Sequence, residues 1–119
     1  MTTNTPTFTF AELLAMSLND NYVCDNLDDA RELAEQIIDD GIICDESSIE
    51  ELVNNFAGSN DGWHPERDFT EEFCCETGLA DPNSPLYNFI GFAEVWERLL
   101  RYDMTAVRTK NCTYFFHNF

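Results

Sequence analysis

Three observations predict an α+β fold for this chain, a mostly helical acidic body with a small C-terminal β-hairpin or sheet. Apolar residues recur at three- and four-residue spacing through most of the first 102 positions, the period of one helix face. Residues that start or stop helices (Asn26, Gly41, Ser47, Ser48, Pro65, Gly78) punctuate those stretches. The stretch from Met104 to Phe116 is rich in β-branched and aromatic residues instead. With 44% hydrophobic residues, including ten Phe, four Tyr and two Trp, the 119-residue chain should order itself despite its acidity. That length allows one compact unit or two small lobes, divided here as an acidic helical lobe over 1–60 and a lobe of helices plus hairpin over 61–119.

After a polar lead of about seven residues, Phe8 to Leu18 reads as a strand or, slightly better, a helix with Phe10, Leu13, Leu14 and Leu18 on one face. Asn19-Asp20-Asn21 breaks it. Asn26 is suited to cap a helix running to Asp40, with Asp28 and Asp29 in its first turn and Gly41 just past its end. Leu27, Ala30, Leu33, Ala34, Ile37 and Ile38 form the apolar stripe of that helix. Ser47 or Ser48 opens the next, which the pattern carries to about Ala57 with Ile49, Leu52, Val53 and Phe56 inward. Gly58-Ser59-Asn60-Asp61-Gly62 reads as a linker. Pro65 starts a helix that Gly78 stops, with Phe69, Phe73 and one of Cys74 and Cys75 inward. Ala80 to Pro85 is a turn and Leu86 to Ile90 an apolar segment. Phe92 to Tyr102 reads as a helix with Phe92, Val95, Trp96 and Leu99 inward, and Met104 to Arg108 and Cys112 to Phe116 form the hairpin.

Charge separates this chain from an ordinary acidic protein. The first 97 residues hold 22 of the 23 Asp and Glu and only Arg31 and Arg67, a net −20; the remaining 22 carry Asp103 against Arg98, Arg101, Arg108 and Lys110, a net +3 that brings the chain to −17. A compact fold of this length is roughly 35 Å across, and duplex DNA carries about 20 phosphates over that distance, one per ~1.7 Å. The protein therefore has nearly the charge of the DNA it could displace. Such a body repels nucleic acid and membrane surfaces and attracts proteins built to hold a polyanion. Between Asn26 and Asp40 the carboxylates of Asp28, Glu32, Glu35 and Asp39 climb one face at spacings of four, three and four, each like-charge pair costing roughly 0.2–0.5 kcal/mol. Their arrangement reads as displayed. Arg98, Arg101 and Arg108 read as internal partners of the acidic body, and Trp63 and Trp96 as core residues or interface anchors alike.

The residues offer little else by way of chemistry. Five cysteines form an odd set without a C-x-x-C pair, and adding His64 and His117 gives no zinc spacing. Cys74 and Cys75 with His64 fit one buried and one partly exposed thiol better than a catalytic pair. Placing Gly62 on the invariant glycine of a calcium loop puts Ala57 and Asp68 where Asp and Glu ligands belong, so the match fails at both ends. No enzyme activity, metal or cofactor is expected. The N-terminal residues lack the features of a secretory signal and no apolar run reaches spanning length, so a cytoplasmic location is expected.

The C-terminal half resembles the ArdA antirestriction family. The resemblance lies in Phe73-Cys74-Cys75-Glu76-Thr77-Gly78, then Pro82 and Pro85, then Leu86-Tyr87-Asn88-Phe89-Ile90-Gly91-Phe92, then a helix and a hairpin ending in Tyr114-Phe115-Phe116. The region from Leu27 to Phe56, with Ser48-Ile49-Glu50-Glu51-Leu52, is similar to that family's middle helical domain. The resemblance implies a phage or mobile-element protein that evades host defence by imitating DNA in the groove of type I restriction-modification enzymes, and elongated dimers joined through the C-terminal domain. The family's β-rich N-terminal domain is not visible here, Gly91 stands where the family usually has Asp, and Arg98 and Arg101 fall where relatives are more acidic.

Charge and resemblance together point to a non-catalytic inhibitor of a DNA-binding defence enzyme of the host cell. The phosphate-imitating residues expected are Asp28, Asp29, Glu32, Glu35, Asp39, Asp40, Glu46, Glu50, Glu51, Glu66, Asp68, Glu71, Glu72 and Glu76. A homodimer is expected through the less acidic aromatic segment Leu86 to Phe119, with Tyr87, Phe89, Phe92, Trp96 and Phe115 at the interface. No direct contact with nucleic acid or membrane is expected. The alternative from another class is an acidic module that binds a basic protein, such as a CRISPR effector, polymerase subunit or transcription factor, through an apolar groove. A halophilic domain and a small enzyme rank behind it.

Overall fold

The computed structural model describes residues 8–118, so the polar lead and Phe119 lie outside the described residues. It is α+β, and among the described residues the chain divides into two compact units, the first ending at Asn55 and the second Phe56–Asn118. The boundary falls five residues before the one expected from sequence, because Phe56 to Asn60 is a strand of the second unit.

Helix α1 of the first unit spans Phe10–Asp20; Thr9 caps it, its Oγ1 accepting from the Glu12 amide at 3.2 Å, and Leu14, Ala15 and Leu18 are buried. It continues through the expected break to its cap Asn21, whose side-chain amide donates to the Ser17 carbonyl. Helix α2 spans Leu27–Asp39 and matches the sequence reading: the Asn26 Oδ1 accepts from the Asp29 amide at 2.8 Å, and Ala30, Leu33, Ala34 and Ile37 are fully buried. Both helices end alike. The amides of Gly41 and Ile42 return to the carbonyls of Ile38 and Ile37, and those of Tyr22 and Val23 to Asn19 and Leu18, each helix closing through a left-handed residue. A 3-10 turn over Glu46–Ser48 leads into α3, Ile49–Asn54, which is shorter than expected because Asn55 caps it and the chain extends at Phe56.

The second unit is a three-stranded antiparallel sheet with helices α4 (Pro65–Glu76) and α5 (Phe92–Arg98). Strand β1 is Phe56–Asn60, β2 Met104–Arg108 and β3 Thr113–His117, in the order β1-β3-β2, so the expected hairpin gains a third strand where a linker was read. Gly58 pairs with Phe115 just after a bulge; its φ is +155°, and a Cβ there would stand 3.2 Å from the Phe69 ring, so glycine suits the site on both counts. Thr113, Tyr114, Phe115 and Phe116 of the central strand are all buried.

Phe115 is the centre of this unit's core. Its ring stacks on Phe69 at 4.0 Å and meets Trp96 edge-on at 5.3 Å, with Leu100 and Met104 in the same cluster. A second cluster of Cys74, Ala80 and Phe92, with Tyr87 and Ile90 against it, holds the proline turn to α4. The C-terminal helix ends sooner than expected: after Arg98 the chain tightens into a 3-10 turn, Leu100–Tyr102, which buries Leu100 and leaves Leu99 exposed.

The two matching helix ends generate a prediction. Tyr22 holds at φ +61° the position that Gly41 holds at +69°, and a non-glycine residue there costs about 1–2 kcal/mol. Tyr22 is exposed, so nothing offsets that cost by packing. Tyr22→Gly is expected to raise stability by roughly 1 kcal/mol and Gly41→Ala to lower it by a similar amount, read from urea midpoints.

Candidate functional site

None of the carboxylates named from sequence is buried, and α2 presents the most continuous set. Asp28, Glu35, Asp39 and Asp40 are exposed and Asp29 and Glu32 half-buried. Arg31 lies 3.5 Å from Asp28 with both side chains largely in solvent, a pair worth at most about 1 kcal/mol. Gln36 donates to Asp40 at 2.8 Å. Glu46, Glu50 and Glu51 on the following turn and α3 are exposed as well. Division into units sharpens the charge argument, because the first holds 13 carboxylates and Arg31, a net −12, and the second a net −5.

The acidic residues of α4 are more committed to their own unit. Glu66 pairs with Arg108 at 3.3 Å and Asp68 with Arg67 at 3.0 Å. Glu71 accepts a hydrogen bond from the Tyr87 hydroxyl, which the Cys75 sulfur also approaches at 3.5 Å. Glu72 and Glu76 are exposed. Of the three arginines read as internal partners, Arg108 has this role and Arg101 pairs with Glu97 on its own turn of chain.

The interface set needs correction. Phe92, Trp96 and Phe115 are 8%, 9% and 0% exposed and belong to the core of their unit, so they present no surface to a second copy. Tyr87 is half-buried and ties the 3-10 turn Tyr87–Phe89 to α4. Phe89 alone of the set stands in solvent, at 83% exposure, with Leu86 exposed one 3-10 turn earlier. The two tryptophans, equivalent in sequence, separate completely: Trp96 is core, while Trp63 is 97% exposed in the bend between Gly62 and Pro65.

Titratable groups near these residues follow their surroundings. Asp45, whose Oδ1 accepts from the hydroxyls of Ser47 and Ser48 at 2.7 and 3.0 Å, has its carboxyl held below the usual range by those bonds. Burial pushes the thiols of Cys74 and Cys112 up, disfavouring the nucleophilic thiolate. Among the described residues no group of three His, Cys, Asp or Glu side chains converges as metal ligands do, and no helix is long and apolar enough to cross a membrane. No family model matches the chain, no curated protein matches its sequence and no solved structure matches its fold.

The Tyr87 hydroxyl is pushed well above its ordinary value, first by its bond to Glu71 and then by Cys75. A raised folded-state pKa stabilises the protein fully below the unfolded value of about 10 and is lost as pH rises through the folded value. In an alkaline absorbance titration Tyr87 should ionise above the usual tyrosine range, and Tyr87→Phe should remove that late step. The stability difference between wild type and Tyr87→Phe should be constant from neutral pH to about 10 and shrink above it.

Proposed function

We propose that this chain is a non-catalytic inhibitor that occupies the DNA-binding cleft of a host-defence enzyme by presenting carboxylates in place of phosphates. The observation that carries the reading is the run of carboxylates along α2 and its cap, four of which (Asp28, Glu32, Glu35 and Asp39) share one face. Six carboxylates between Asp28 and Asp40 rise over ~18 Å of helix at 1.5 Å per residue. One DNA strand sets about five phosphates over that length, one per ~3.4 Å. Their charge density thus matches a single strand, with Arg31 the lone cation of the unit to offset it. Glu46, Glu50, Glu51, Glu72 and Glu76 extend the exposed acidic set, while Glu66, Asp68 and Glu71 contribute less because they have internal partners.

The ArdA-like order of motifs in the C-terminal half makes a type I restriction-modification enzyme the first target to test, and a CRISPR effector or transcription factor the next. A two-fold dimer belongs to the same proposal, now through Phe89 and Leu86. These lie in Pro82 to Ala93, a stretch without a charged residue where two −17 copies would meet with least repulsion. Light scattering at moderate salt should give twice the monomer mass and Phe89→Ser should return it to one copy; a wild-type monomer at high micromolar concentration rejects the dimer.

Recognition spread over many charges makes no single carboxylate essential. Glu32→Gln alone should weaken displacement of duplex DNA from the target by only about twofold, whereas neutralising Asp28, Glu32, Glu35 and Asp39 together should weaken it at least ~100-fold at low salt. The fourfold variant should be as stable as wild type or more so, since like-charge contacts are relieved. A target that holds DNA and this protein together without mutual weakening overturns the proposal.

A further inference from the structure

On the first unit, α1 packs against α2 and also against α3 and the 3-10 turn before it. The two walls diverge into an open cleft of about 410 Å³, within the range of ligand-binding clefts. Leu13 and Ser17 stand one turn apart on the α1 wall; Ile49 and Val53 stand one turn apart on the other. Ile49 is buried and Leu13 and Val53 half-buried, an apolar strip in a lining that is otherwise polar, with Ser17, Asn21 and Asn54 beside it. Glu46 and Glu50, one turn apart and exposed, edge it. No lysine or arginine lines the cleft.

That combination specifies its occupant. The strip of Leu13, Ile49 and Val53 accepts one or two apolar side chains at spacing of one helical turn, and two carboxylates in a unit of net −12 favour cations beside it. An amphipathic basic helix meets both needs, with leucine-like side chains on Leu13, Ile49 and Val53 and Lys or Arg stems lying along the wall toward Glu46 and Glu50. A second copy would bring its own carboxylates against these. The chain's own first seven residues carry no Lys or Arg side chain to complement them and no leucine-like run. We propose that this cleft docks a basic amphipathic helix of the partner protein, a short-range anchor separate from the α2 carboxylates. The proposal rests on the reading above only in taking the partner to be a basic protein.

The test uses the full chain and three synthetic helical peptides about four turns long: one of Lys and Leu, one of the same charge with Gln for Leu, and one of Glu and Leu. The Lys-Leu peptide should bind about tenfold tighter than its Gln counterpart, the gain expected from burying one leucine, and should shift the methyl resonances of Leu13, Ile49 and Val53. The Glu-Leu peptide should not bind. Glu46→Gln with Glu50→Gln, both at exposed sites, should lower Lys-Leu affinity several-fold in about 0.3 M salt, and Val53→Asn should remove the advantage of Leu over Gln. Equal affinity for the Lys-Leu and Lys-Gln peptides, or shifts confined to α2, overturns the cleft and leaves the DNA-imitating reading intact. Inhibition that survives neutralisation of the α2 column together with Glu46 and Glu50 but not Val53→Asn overturns that reading and leaves the cleft.

Discussion

Scarcity of positive charge is the constraint on which everything else in this protein depends. Six cations cannot neutralise 23 carboxylates, and the ion pairs that form among the described residues are on the surface, where each contributes about 0–1 kcal/mol. Folding must therefore rest on apolar burial, and every described carboxylate must stay in contact with water. The two units meet that requirement differently. The first buries small and aliphatic residues along α2, with Ala30, Leu33, Ala34 and Ile37 wholly enclosed. The second builds on aromatic rings around Phe115 and admits only Thr70 and Thr113 as buried polar residues, the former bonded to the Glu66 carbonyl.

Local signals made α2 and α4 legible in the sequence. Asn26 and Gly41 bracket one and Pro65 and Gly78 the other, and caps of this kind act within a few residues of themselves. Strand β1 is not legible for the opposite reason: Phe56 and Ala57 continue the apolar period of α3 and Gly58-Ser59-Asn60 has the composition of a linker, and they become a strand only because β3, more than fifty residues on, offers them an edge. Leu99 was misplaced by a change of period, since the step from α-helix to 3-10 turn after Arg98 moves the inward position to Leu100. Phe92, Trp96 and Phe115 were misassigned because aromatic density marks cores and interfaces equally. The column on α2 was legible because helical periodicity alone sets it; the commitment of Glu71 to Tyr87 was not, since it joins residues sixteen apart through a folded turn.

Segregation of charge gives the two proposed contacts distinct physical roles. A field from a unit of net −12 acts over about 8 Å at physiological ionic strength and falls with added salt, so it accelerates encounter with any basic partner without choosing among them. A cleft acts only on contact and discriminates by shape. A protein with the first feature alone would adhere to many cationic surfaces; one with the second alone would find its partner slowly.

The C-terminal end of α2 supplies the strongest argument that its charge is functional. At the N-terminal end Asp28 and Asp29 lie in the first turn, where the helix dipole favours carboxylates, so their presence is explained by stability alone. Asp39 in the last turn and Asp40 at the cap face the negative end of the dipole, each at a cost of about 0.3–1 kcal/mol, and no basic residue stands in that turn to relieve them. The like-charge spacings between Asp28 and Asp39 add roughly 0.2–0.5 kcal/mol apiece. Lysine in place of Asp39 would reverse part of that cost, and nothing in the packing forbids it, because the side chain is exposed; Asp40 recovers part of its own cost through the bond from Gln36. A helix under pressure for stability alone would have made that exchange; retaining acids at both ends is what an extended run of negative charge requires.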